Sequence, residues 1–161
     1  MNFDQPPKIE QMGEGRRKLL ALEKEGKYVF HGSPTEIQEL EPRQAYAYDS
    51  ASGTNENDGA PAVFATAFAD AAIFRALINE RNVKGDSESG WGLEDNGLHF
   101  KSTQNLVDAV RAGLRAKVYV FDKSQFGPDE GMQVRSHGKV IPIDVIEVAM
   151  DDLPDNIKII S

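Results

Sequence analysis

Every apolar run in this chain is short, and that limits the fold more than any other feature of the sequence. The longest lies within Ala60–Ala69, far below the roughly 20 apolar residues that a membrane helix needs. A membrane partner is therefore not expected. The apolar residues come instead in strand-length pieces. Residues 27–31 (KYVFH), 62–66 (AVFAT), 117–122 (KVYVFD), 131–136 (GMQVRS) and 139–150 (KVIPIDVIEVAM) read as strands, with a short one at 98–101 and a last one around Ile157, Ile159 and Ile160. Pro142 marks the 139–150 piece as an edge strand or a bulge. Gly32, Ser33 and Pro34 end the first strand as a turn, and His137-Gly138 joins the late pair.

Three segments carry helical spacing. Residues 8–26 place Ile9, Met12, Leu19, Leu20 and Leu22 on a ragged face. Gly13 and Gly15 weaken its first half, and Gly26 stops it. Residues 67–81 are Ala-rich and read as a buried helix, and 103–114 is amphipathic. Thr35–Leu40 is one helical turn. Residues 41–60 and 82–97 lack periodicity and read as long loops, the second holding the only tryptophan, Trp91. Strands outnumber long helices and cluster late. The expected fold is α+β, a single domain over 161 residues, and not a doubly wound parallel sheet.

The net charge is -8. An acidic surface repels phosphate backbones, so nucleic acid is not an expected partner. Arg111, Arg115 and Lys117 form a local basic cluster that reads as a solvated helix end. There is no cysteine, and the first residues, MNFDQPPKIEQ, are polar. Both features fit a cytoplasmic protein.

Familiar catalytic signatures are absent: no Walker A loop, no G-x-G-x-x-G, no H-E-x-x-H and no serine elbow. His31, His99 and His137 lack ligand spacing, so no metal is expected. Three pieces remain. His31-Gly32-Ser33 ends a strand. A histidine there offers a ring nitrogen to a sugar hydroxyl, and a glycine lets a flat ligand approach the backbone; alternatively the histidine only caps the strand end. Phe64 and Thr66 lie on a strand before a helix bearing Phe74. The two aromatics can sandwich a planar ring or simply fill a core, and Thr66 suits a helix N-cap. Asp129 and Glu130 precede Gln133 at the entry to a late strand. A carboxylate beside the anomeric carbon stabilises an oxocarbenium-like cation; an Asp-Glu-Gly string is also an ordinary acidic turn.

The order of these pieces, HGS, then AVFATAFADAAIF, then MQVRSHGKVIPIDVIEV, resembles the ADP-ribosyltransferase superfamily over residues 27–150. It resembles the rifampin ADP-ribosyltransferases and the poly(ADP-ribose) polymerase catalytic core in particular. The resemblance implies a split sheet with flanking helices, and NAD as substrate. It implies that His31 binds the NAD ribose, that Gly32 pairs with the nicotinamide amide, and that Phe64 and Phe74 flank the nicotinamide. Ser33 and Thr66 belong to the same two motifs. Phe64 lacks the hydroxyl of the family's tyrosine. Gln133 stands where the family carries a glutamate, and the acid would then be Asp129 or Glu130. The implied activity is transfer of ADP-ribose to a small-molecule or protein acceptor with release of nicotinamide. Loops 44–61 and 82–97 would shape the acceptor site. The alternative is a catalytically degenerate module that binds a nucleotide or a protein.

Overall fold

The computed structural model describes residues 12–33, 46–49, 54–57, 63–95, 97–127, 133–136 and 139–160. Over these residues the chain is a mixed α+β fold. Helix α1 (Glu14–Glu25) leads into β1 (Tyr28–Ser33), then β2 (Tyr46–Asp49), β3 (Thr54–Asn57) and β4 (Val63–Ala65). Helix α2 (Ala69–Leu77) and the hairpin of β5 (Ser89–Glu94) and β6 (Gly97–Thr103) follow. Helix α3 (Gln104–Arg111) precedes β7 (Ala116–Asp122), β8 (Val134–Ser136), β9 (Asp144–Val148) and β10 (Ile157–Ile160). The strands form four small sheets, ordered β1-β7-β9, β10-β6-β5, β2-β3 and β4-β8. Every pairing is antiparallel except that of β10 with β6. A sheet built this way has no use for the helical crossovers of a doubly wound fold.

Strand β7 explains the layering. Its residues alternate between two apolar clusters. Val118 and Val120 join Phe30 and the buried faces of α2 and α3, while Tyr119 and Phe121 join Val29, Val63, Ala65, Val134 and Val140. All four of these β7 side chains are fully buried. Each contributes about 1.5–3 kcal/mol of burial free energy. The central sheet is thus covered on both faces.

Helices α1 and α2 are tied together by charged side chains. Asp152, in a 3-10 turn near the C-terminus, accepts from the backbone of Arg16 (2.8 Å) and of Ala149 (2.8 Å). It caps α1 from across the fold. Glu23 of α1 accepts from Ala69 N (2.6 Å) and caps α2 in the same way. Arg16 closes the set with a two-pronged bond to Asp70, at 2.9 and 3.0 Å. Burial pushes the Glu23 carboxyl up from its ordinary value, against the Ala69 hydrogen bond, and Asp70 adds to the rise.

Several expectations need correction. Among the described residues the expected 8–26 helix starts only at Glu14, with Gly13 at its N-cap, and Gly13 and Gly15 are not mere weaknesses. A Cβ at Gly13 would collide with Asp152, and one at Gly15 would lie 2.7 Å from Glu147 O. Both glycines let the helix dock. Gly26 closes α1 in the left-handed region (φ 71°), as expected. β1 does not turn at Gly32 but pairs with β7 through Ser33. Residues 41–60, expected as loop, contain the β2–β3 pair. Residues 82–97 contain β5, whose turn into β6 uses Gly97 at φ 111°. Backbone pairing with a neighbour, which leaves no periodic trace in such polar stretches, made all three strands. The long 139–150 strand shortens to β9, since Pro142 has no N–H to donate. β9 does lie at a sheet edge. Ile9, Thr35–Leu40 and the His137-Gly138 turn lie outside the described residues.

Candidate functional site

Strands β1 and β4 touch through a single bridge, Phe30 with Thr66, closed by backbone bonds of 2.7 and 2.9 Å. Beyond it they part. The ladder would continue by pairing backbone with backbone. Instead the His31 ring enters the gap, and its Nδ1 lies 2.8 Å from Phe64 O. A carbonyl can only accept, so Nδ1 carries the proton and donates. In the neutral ring Nε2 is then an acceptor. Burial lowers the His31 pKa from its ordinary value, and the Phe64 bond offsets part of that. The imidazole is therefore neutral at pH 7, with Nε2 free of any partner among the described residues.

A cleft of about 290 Å³ opens where the strands diverge. Phe30, His31 and Gly32 line it from β1, and Phe64 and Ala65 from β4, with Thr66 just after that strand. Ala71, Ala72 and Arg75 form the α2 wall, Asn79 follows that helix, and Trp91 and Gln133 complete the lining. Carboxylates are missing from the lining among the described residues.

The structure brings five of the expected residues to this cleft: His31, Gly32, Phe64, Thr66 and Gln133. Phe64 is half-buried, with the Arg135 guanidinium 5.0 Å from its ring centre. The Thr66 hydroxyl accepts from Phe68 N at 3.2 Å, so it serves the start of α2, although Phe68 holds the N-cap position itself. Two expected residues lie elsewhere. Phe74 is 0% exposed and packs on Phe100 at 5.0 Å between ring centres. It points into the core because it belongs to the apolar face of α2, and it cannot flank a ligand in the cleft. Ser33 is buried and does not line the cleft. Asp129 and Glu130 lie outside the described residues.

Gly32 has a different explanation from the expected one. A Cβ there would collide with Ala72 O and stand 2.8 Å from Ala76 N. The close approach that demands glycine is made by helix α2.

Seven lining residues were not among the expected site residues, and Arg75, Asn79 and Trp91 are the polar or amphipathic ones among them. Arg75 is one of two charged positions, with Asp70, in a mainly apolar helix, and that was its only signal. Asn79 follows the helix end. Trp91 stood out as the sole tryptophan, but its strand was hidden in a stretch that read as loop. The basic cluster, expected as a solvated helix end, is instead paired with carboxylates: Arg115 and Lys117, the latter on β7, meet Glu147 at 2.7 and 3.6 Å, and Arg111 meets Asp108 at 3.4 Å. Among the described residues no three His, Asp or Glu side chains converge as a metal site would require. No helix among them is long and apolar enough to cross a membrane.

The chemistry on offer is therefore a neutral imidazole acceptor, two amides, one hydroxyl, one guanidinium and three aromatic rings. In comparisons with protein-family models, curated proteins and solved structures, nothing matches this chain.

Proposed function

We propose that the cleft binds NAD and that the protein transfers ADP-ribose from it to an acceptor, releasing nicotinamide. The observation that carries this reading is His31: a neutral ring, oriented by Phe64 O, with Nε2 left to accept from a ribose hydroxyl. Phe64 flanks the nicotinamide ring. Asp129 or Glu130, four and three positions before Gln133, supplies the negative charge that stabilises the oxocarbenium-like transition state. The ribose–nicotinamide bond breaks with its electron pair leaving on nicotinamide. The acceptor nucleophile bonds to the anomeric carbon and loses its proton. The acceptor is a small molecule or a protein side chain, and the reaction runs in the cytoplasm, where NAD is abundant.

One observation favours a second reading. Gln133 lines the cleft in the place where the resemblance expects a glutamate, and an amide supplies no charge. On this reading the domain binds a nucleotide or a protein without turning NAD over.

Incubation with NAD, followed by assay of free nicotinamide, separates the two. The transferase reading expects slow release that is lost in Glu130→Ala or Asp129→Ala. Binding without release in the unmodified protein leaves the non-catalytic module.

A further inference from the structure

We infer that Arg75 and Trp91 form a second subsite of the cleft, one that takes the phosphate and the planar base of a nucleotide. The inference rests on the NAD reading and assigns the part of the molecule that His31 and Phe64 leave unheld.

Arg75 lies on the last turn of α2 and lines the cleft. Its Nη1 donates to the Ser89 hydroxyl at 3.3 Å, and that hydroxyl donates to Glu80 Oε1 at 2.5 Å. The serine therefore holds the guanidinium in place, and the carboxylate bonds the serine rather than the arginine. Arg16, Arg111 and Arg115 each have a carboxylate partner. Arg75 has none among the described residues. One of its five N–H donors is used, and the fork that remains suits a phosphate.

Ser89 and Trp91 are two residues apart on β5, so they share a face of the strand. The residue that anchors Arg75 thus shares a strand face with the indole, both side chains line the cleft, and the guanidinium lies 5.8 Å from the Phe74 ring centre. Trp91 is half-buried, lines the cleft, and is steadied by Phe68 at 6.4 Å and 73° between rings. Cross-strand pairing with Phe100 fixes its backbone. An anchored cation and a steadied aromatic plane in one cleft match a nucleoside phosphate: the arginine meets the anion and the indole meets the base.

Trp91 is the only tryptophan in the chain, so its emission reports on this subsite alone. ADP is the probe, with nicotinamide as the control that carries neither phosphate nor purine. ADP is expected to change Trp91 emission. Arg75→Ala is expected to weaken ADP binding roughly tenfold or more, the usual cost of a charged hydrogen bond, while leaving nicotinamide binding unaltered. Trp91→Phe, followed by calorimetry, is expected to weaken ADP a few-fold. Arg75 is exposed, and circular dichroism of Arg75→Ala should match the unmodified protein. Equal ADP affinity in Arg75→Ala, or ADP bound with Trp91 emission unchanged, overturns the subsite. NAD turnover that is indifferent to Arg75 overturns the subsite and leaves the transferase standing. ADP binding through Arg75 without any NAD binding keeps the subsite and removes the transferase. Absence of both removes both.

Discussion

Phe30 and Gly32 lie on one face of β1 and His31 on the other, and the two faces meet different demands. On the first, α2 presses so close that Ala72 O leaves no room for a Cβ at Gly32, and Phe30 is 0% exposed. On the second, β4 turns away after one bridge, and a side chain takes over a backbone partner's place. Adjacent residues of one motif thus do separate work. Gly32 is a packing residue, and His31 is a polar group held ready at a cleft.

The sharpest way to break this comparison is Gly32→Ala. Forcing a methyl group into the Ala72 backbone should cost about 3 kcal/mol, read as a lower midpoint in urea unfolding. An alanine variant that unfolds like the parent would show that α2 does not require the glycine. Asp152→Ala tests the helix-covered side from further off. It strands two backbone N–H groups and removes the cap of α1, for an expected loss of about 1–2 kcal/mol by thermal or urea unfolding.

The next two effects are smaller and opposite in sign. The folded-state pKa of His31 is lowered from 6.5, so the unfolded chain binds more protons. Stability should therefore fall as the pH drops below about 6.5 and level off beneath the folded-state value. His31→Asn should flatten that slope. Glu23 behaves in reverse, because its folded-state pKa is raised from 4.5. The stability it confers is present below the unfolded value and is lost as the pH rises through the folded one. Glu23→Gln should remove this loss and leave the protein as stable as the parent, or slightly more so, at neutral pH. Unfolding midpoints taken across pH 4 to 8 would expose a wrong sign in either case.

These two faces also differ in how legibly they were written. The covered side speaks through periodicity: the alternation of β7 and the Ala-rich run of α2 both led to buried elements. Even Phe74, noted for its ring, is explained by the apolar face to which it belongs. The mixed α+β class followed from the short strands. The cleft speaks more faintly. His31, Phe64 and Gln133 stood out as residue types, yet nothing local said that β1 and β4 would diverge between them. Trp91 reaches the cleft on the β5–β6 hairpin, whose Gly- and Ser-rich strand carries almost no pattern, and Arg75 reaches it from the end of α2, anchored by Ser89 of that strand. Gly32 was noticed for the right property, its missing Cβ, but the neighbour that exploits it became visible only once α2 was in place.

Calorimetric titration of NAD into the protein and into His31→Asn tests the central claim most directly. The account predicts binding by the parent, binding weakened roughly tenfold or more in the variant for loss of a buried hydrogen-bond acceptor, and similar unfolding midpoints at pH 8. Equal affinities, or no binding to the parent at millimolar NAD with the fold intact, would contradict it.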